Sequence, residues 1–231
     1  MTSSHDVEWT EEKVARFWDD KSQRAEGSYF SAEVAPALAS WISREARPGK
    51  FVVDVGCGPG HLLTELAKRG FHPLGVDNSP ESLRLAAARV GESNVALGSV
   101  TNIPVASGAA EGLLVIETIE HILDADLEIM MDEIRRVLGR GAPLVITTPN
   151  SENLEASKVR CPDCGARFHP IQHVRSWNPP GLEHFLREHG FSRVQTFQTR
   201  LPVGPLILGW PQRVFFRLRK DRRHLLAVAR S

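Results

Sequence analysis

The sequence predicts an α/β fold, a doubly wound parallel sheet with helices on both faces. The first observation is alternation: short apolar runs near 51–55, 72–76, 94–98, 112–116 and 142–148 read as strands, with helical segments near 60–69, 79–90 and 125–138. Strands that alternate with helices pair in parallel and are covered on both sides. The second is the stretch Val52-Val53-Asp54-Val55-Gly56-Cys57-Gly58-Pro59-Gly60, followed at once by the helix-forming His61–Arg69. A strand that feeds a glycine turn and then a helix sets backbone N–H groups and a positive helix end beside a nucleotide-like ligand. The third is Asp77, which ends the next apolar run, Phe71–Val76. A carboxylate about twenty residues beyond the glycine turn is placed to accept two ribose hydroxyls.

Before the first strand, residues 10–22 and 31–46 read as two amphipathic helices, with Trp9, Phe17, Trp18, Tyr29, Phe30 and Trp41 as their packing anchors. A chain of 231 residues is long enough for one substantial core and short for two, so residues 1–231 read as one domain with 49–148 as its ligand-binding core. Lys+Arg and Asp+Glu number 28 each, which offers nucleic acid no general attraction. No apolar run approaches the ~18–20 residues of a membrane span. The start Met-Thr-Ser-Ser-His-Asp has neither the basic nor the apolar region of a secretory leader, and three cysteines make no disulfide framework; a reduced, cytoplasmic setting is expected.

Two side-chain clusters carry chemistry. Strand four runs into Ile116-Glu117-Thr118-Ile119-Glu120-His121. On a helical turn Glu117, Glu120 and His121 share one side, at the mouth of the sheet, where two carboxylates and an imidazole can hold a divalent metal or act as acid and base. Further on, Cys161, Cys164, His169 and His173 are spaced C-x2-C-x4-H-x3-H. The Cys-Pro-x-Cys-Gly turn aims two thiolates at one ion, so zinc is expected here, with a redox pair as the alternative. Zinc uses all four residues, or it uses Cys161, Cys164, His169 and an outside ligand and leaves His173 to the other cluster. Near the end, residues 206–223 mix apolar and basic side chains. Such a segment packs on the sheet with a solvated basic face, or contacts a membrane surface or a greasy or anionic substrate.

Residues 52–60, then Leu-Gly-Val-Asp77-Asn78-Ser, then Gly98-Ser99-Val100-Thr-Asn-Ile-Pro, resemble motifs I, II and III of class I S-adenosylmethionine-dependent methyltransferases, over about residues 50–200. The resemblance implies a Rossmann-like sheet of seven mostly parallel strands, the last antiparallel, with the final two near 191–199 and 224–230. It implies S-adenosylmethionine as cofactor: Gly56, Gly58 and Gly60 admit its methionine end, Asp54 orients its amino group, Asp77 takes the ribose hydroxyls and Asn78 lies beside the adenine. Motif III departs from the usual pattern, with Ser99 where the family has Asp; Ser99 and the Val100 N–H remain for the adenine. Cys57 reads as packing. Residues 1–48 become a lid, 149–180 a Cys/His insertion and 201–222 a cap.

Glu117-x-x-Glu120-His121 also resembles the corresponding stretch of ubiquinone-type O-methyltransferases and of small-RNA 2′-O-methyltransferases. In the latter both acids, the histidine and one further histidine hold a divalent metal, which points to Glu117, Glu120, His121 and His173 binding magnesium or a similar ion; Glu117 alternatively touches the cofactor. The expected reaction is O-methylation of a small-molecule hydroxyl in a sugar, phenol or lipid-linked metabolite, with His121, His173 and Glu120 as the catalytic groups. The alternatives are an RNA ribose 2′-O-methyltransferase, against which the neutral charge argues, and a non-catalytic, zinc-stabilised partner protein. The sequence does not assign the acceptor or an oligomeric state.

Overall fold

The structure, a computed structural model, describes residues 4–24, 30–199 and 223–231. Tyr29 and the cap at 201–222 lie outside the described residues, and so does all of 206–223 except Arg223. A two-residue strand β1 (His5–Asp6) precedes α1 (Glu11–Arg24) and α2 (Phe30–Trp41), which runs into a π-helical turn, Ile42–Ala46. Then come β2 (Phe51–Val55), α3 (His61–Ala67), β3 (His72–Asp77), α4 (Pro80–Val90), β4 (Val95–Leu97) and β5 (Gly112–Ile116). A 3-10 turn, Ile119–His121, leads to α5 (Asp124–Val137) and β6 (Leu144–Pro149). The remainder holds α6 (Leu154–Ser157), β7 (Val159–Arg160), β8 (Ala166–Phe168), α7 (Pro179–Glu188), β9 (Arg193–Thr199) and β10 (His224–Arg230).

The main sheet has seven strands in the order β4-β3-β2-β5-β6-β10-β9. β4, β3, β2, β5 and β6 pair in parallel, while β10 is antiparallel to both β6 and β9. The fold expected from the sequence is therefore present, down to the antiparallel last strand. The chain leaves β2 toward β3 and β4 and then returns on its other side with β5 and β6. That reversal opens a crevice at the strands' C-terminal ends.

Side-chain parity splits the core into two layers. Val53, Leu113, Val115, Leu144, Ile146 and Leu225 face one cluster, with Met130, Met131 and Ile134 of α5 and Leu182 of α7. Their neighbours Val52, Leu114, Ile116, Val145 and Leu226 face the other, with Leu38 of α2 and Leu62 of α3. A strand buried on both faces needs apolar residues without alternation, which is why these runs are continuous. Trp41 is buried in this second layer and meets Phe197 edge-on at 5.6 Å, as an anchor should. Among the described residues, no helix is long and apolar enough to cross a membrane.

Some elements were not anticipated from the sequence. α7 begins at Asn178, whose Oδ1 accepts from the Gly181 N–H at 2.8 Å, with Pro179 in the first turn. The segment 149–180 holds β7 and β8, which join β1 in a separate sheet of order β1-β8-β7.

Phe191, 1% exposed, plugs the core between α7 and β9. Phe191→Ala is expected to cost about 3–5 kcal/mol, read as a lower midpoint in urea unfolding with an unchanged slope.

Candidate active site

A cavity of about 570 Å³ fills the crevice, and Val55, Asp77, Ile116 and Pro149, from the C-terminal ends of β2, β3, β5 and β6, all line it. At one end lies the glycine turn. Gly56, at φ 78°, stands so close to Thr118 that a Cβ would come within 2.5 Å of its hydroxyl. Asp77 Oδ2 accepts from the Gly58 N–H at 2.8 Å and Oδ1 from the Ser79 N–H at 2.9 Å, so the carboxylate that ends β3 also fixes the turn after β2. Gly60 is different: it is not in the cavity wall, and its Cβ would meet Ala86 of α4 at 2.9 Å. Its glycine serves close helix packing, not approach to a ligand.

Asp54 is 2% exposed, lines the cavity and has no hydrogen-bond partner for Oδ1. Burial, with the Asp77 charge nearby, pushes its pKa up to about 7. Burial also raises Asp77, opposed by the N–H groups of Ser79, Gly58 and Asn78. Asn78, Ser99 and Val100 line the same cavity. The Ser99 hydroxyl is 2.9 Å from that of Thr101 and accepts the Thr101 N–H at 3.3 Å, which shapes the turn after β4.

At the other end are Glu120, His121 and His173, whose donor atoms lie within 4.8 Å of one another. Glu120 is 1% exposed and neither carboxylate oxygen has a hydrogen-bond partner. Burial, reinforced by the Glu117 charge, raises its pKa well above the carboxylate range. His121 Nδ1 lies 3.3 Å from the Gln172 carbonyl, which can only accept, so Nδ1 carries the proton and Nε2 presents a lone pair 3.9 Å from Glu120 Oε1. Burial, with the His173 charge, pushes His121 down to about 3, so its ring is neutral. His173 Nδ1 donates to Glu152 Oε2 at 2.5 Å, leaving Nε2 at 4.0 Å from the same Glu120 oxygen. Two imidazole lone pairs thus converge on one unpartnered carboxylate.

The supporting groups were invisible to sequence reasoning. His169 Nδ1 accepts the His173 backbone N–H at 3.2 Å, so its Nε2 carries the proton donated to Glu152 Oε1 at 3.1 Å. Burial alone would raise Glu152, but the hydrogen bonds and charges of His173 and His169 hold it below the usual range. Gln172, fully buried at φ 57°, donates to the His121 carbonyl at 3.0 Å and accepts from Trp18 Nε1 at 3.0 Å. Trp18 is thereby a cavity wall. Nothing in the sequence singled out Gln172 or Glu152.

The structure corrects two groupings. Glu117 lines the cavity, with φ 49° and a pKa raised to about 7 by burial and by Glu152, but it stands outside the Glu120–His121–His173 group. The chain turns sharply at Glu117, and only Ile119–His121 forms a helical turn, so the three do not share one helical face. Cys161 and Cys164 are not gathered with His169 and His173: the histidines turn inward to Glu152, while Cys164 is exposed on the β7–β8 hairpin. The four-residue zinc set read from the spacing is not assembled.

A family model described as "Methyltransferase domain" matches residues 52–141. A ubiquinone biosynthesis O-methyltransferase of Hahella chejuensis is 33% identical over 153 residues, 63% of this chain and 61% of that enzyme. Norajmaline N-methyltransferase of Rauvolfia serpentina is 35% identical over 115 residues, 47% of this chain and 39% of that enzyme. The chain thus spans less than two thirds of the length of these curated relatives. Among solved structures, 1,6-didemethyltoxoflavin-N1-methyltransferase of Burkholderia thailandensis, bound to S-adenosylhomocysteine, aligns at TM-score 0.67 and 16% identity, over 100% of this chain and 93% of that one. A SAM-dependent methyltransferase of Archaeoglobus fulgidus aligns at TM-score 0.62 and 16% identity, over 85% and 94%. At that identity the likeness establishes the fold.

The Asp54 environment makes a pH prediction. Its folded pKa is near 7 and its unfolded value about 4, so the folded chain holds a proton that the unfolded chain releases. That contribution is complete below pH 4 and is lost as pH rises to 7. Across that window Asp54→Asn is expected to flatten the decline in stability of the ligand-free protein, measured by urea unfolding at a series of pH values.

Proposed function

We propose that the chain is a class I S-adenosylmethionine-dependent methyltransferase and that it methylates a hydroxyl of a small molecule. The observation that carries this reading is one cavity with a glycine turn and an unpartnered carboxylate at one end and the Glu120–His121–His173 convergence at the other. S-adenosylmethionine supplies the methyl group already activated on a sulfonium. The chain's own task is to align the reactants and to manage the acceptor's proton.

The residues at the glycine end fit that cofactor. Asp54 Oδ1 is a buried acceptor without a donor, suited to an ammonium group. Each Asp77 oxygen accepts one backbone N–H and keeps lone-pair capacity for a hydroxyl. Gly56 keeps the wall clear of a side chain, and Ser99 and Val100 edge the same space. Asn78 lies next to them in the wall.

At the acceptor end, Gln172 and Glu152 fix both imidazoles as lone-pair donors toward Glu120. Two imidazoles and a carboxylate, each imidazole backed by an outer acceptor, are the donor set of a divalent-cation site, and an ion held there by Glu120, His121 and His173 would lower the hydroxyl's pKa. Glu117, in the same cavity wall and near enough for its charge to raise Glu120, is a further carboxylate toward such an ion or toward the cofactor. Without an ion, Nε2 of His173 is positioned to accept the hydroxyl proton, while His121, with its pKa pushed down to about 3, serves to accept a hydrogen bond and orient the acceptor. Val14, Ile122 and Leu123 give the acceptor end an apolar lining that suits a carbon skeleton such as a phenol. Compounds with two adjacent hydroxyls are the first acceptors to assay.

Glu120→Gln and His121→Asn are each expected to lower turnover on a catechol panel by about 100-fold or more while S-adenosylhomocysteine affinity, by calorimetry, stays the same. Dialysis against a chelator should suppress turnover, and magnesium or manganese should restore it. Full turnover in both variants would contradict the assignment of these groups. Restoration by neither metal would leave the imidazoles acting alone.

A further inference from the structure

The β7–β8 hairpin carries chemistry that methyl transfer does not use, and its reading is independent of that proposal. Its turn, Cys161-Pro162-Asp163-Cys164-Gly165, is closed by the Gly165 N–H on the Cys161 carbonyl at 3.1 Å, with Gly165 at φ 77°. The backbone N–H groups of Cys164 and Asp163, and then the Cys164 side chain, hydrogen-bond to the Cys161 sulfur and hold its pKa below the ordinary thiol value. The two sulfurs therefore sit together in a turn that favours thiolate, and both cysteines are free of disulfides.

The small sheet decides what faces them. His5 is the register partner of Ala166, and Asp6 that of Arg167. On the other edge of β8, Arg160 partners Arg167, and the Cys161 N–H on the Ala166 carbonyl at 2.8 Å continues that register by one residue. Cross-strand partners share a face. His5, Ala166 and Cys161 therefore form one row, and Asp6, Arg167 and Arg160 the opposite row, where the Arg167–Asp6 ion pair at 3.7 Å confirms the parity. Ala166, the residue between His5 and Cys161 in that row, carries only a methyl group. Two strand spacings, about 10 Å between the outer Cα atoms, are within the combined reach of an imidazole, a zinc ion and a thiolate.

We propose that Cys161, Cys164 and His5 bind a zinc ion on the face of this hairpin. Two thiolates and an imidazole select zinc over magnesium or calcium, and binding releases the thiol protons. The three donor atoms do not all lie within 4.8 Å of one another, so the exposed His5 side chain turns across Ala166 to complete the site, with water in the fourth position. The ion adds to the contacts that already staple β1 to the hairpin, Lys158 with Asp6 at 2.8 Å and Arg167 with Asp6 at 3.7 Å. Since β1 leads directly into α1, which carries Trp18 to the cavity, the zinc would fasten the cavity's N-terminal wall.

The test equilibrates the reduced full chain with zinc, competes with a chromophoric chelator and counts the zinc retained per chain beyond any held at Glu120, His121 and His173, that share being read as the loss in Glu120→Gln. The wild type should retain one ion. Cys161→Ser and Cys164→Ser should retain none, His5→Ala should surrender it at lower chelator concentration, and His169→Asn should hold it as the wild type does. Cobalt(II) added to the unaltered chain gives a readout that no variant's folding can disturb, a sulfur-to-cobalt charge-transfer band. Absence of that band, zinc retained without the cysteines, zinc lost in His169→Asn, or a wild type whose two thiols join in a disulfide instead of binding would each overturn the site. So would a His5→Ala chain that holds zinc as tightly as the wild type.

Discussion

The site is organised around a carboxylate that the fold buries and leaves without a hydrogen bond. Glu120 is 1% exposed, and both of its oxygens lack a partner. An isolated charge in such a place costs several kcal/mol, so the group stays neutral or waits for a cation. The neighbours decide which cation is acceptable. Both imidazoles have their N–H committed elsewhere, His121 to a carbonyl and His173 to Glu152, so neither can donate to Glu120 while neutral. What they offer is lone pairs, and an electron-poor ligand is what satisfies all three.

That arrangement reaches back into the fold. Glu120 stands at the end of β5, on the short turn through which the chain leaves the crevice, and the Val174 N–H bonds its carbonyl at 2.9 Å. Gln172 ties the same turn to Trp18, so the N-terminal helix, the turn after β5 and the loop after β8 meet at one buried amide. The cofactor end is built by different means, from strand ends and a glycine turn held by Asp77. The cavity joins a cradle built from strand ends to a pocket assembled from segments far apart in the chain.

The cradle was legible in the sequence because its determinants are local. Glycine at a positive φ, an acid at a strand end and continuous β-branched runs each leave a mark within a few residues, and Asp54, Gly56, Gly58, Asp77, Asn78, Ser99 and Val100 all fell on the cavity wall. Gly60 shows the limit: the same pattern does not distinguish a glycine that clears space for a ligand from one that clears space for Ala86. The acceptor pocket was half legible. Glu120, His121 and His173 came from motif spacing, but Trp18 and Gln172 meet across 154 residues and Glu152 carries no local signature. The C-x2-C-x4-H-x3-H spacing misled for a physical reason. β8 ends at Phe168, and the buried, stacked pair His169 and His173 then turns away from the hairpin's thiols toward Glu152.

The most direct measurement is long-range ¹H–¹⁵N NMR of the imidazole rings in the metal-free protein, with His121 and His173 assigned by single substitution. The account predicts His121 neutral near pH 7 with its proton on Nδ1, and the proton of His173 shared with Glu152 on Nδ1, so that Nε2 is the nitrogen each ring turns to Glu120. A charged His121, or either ring carrying its proton on Nε2 in place of Nδ1, would mean that Glu120 already has its donor, and the convergence on which the site depends would not exist.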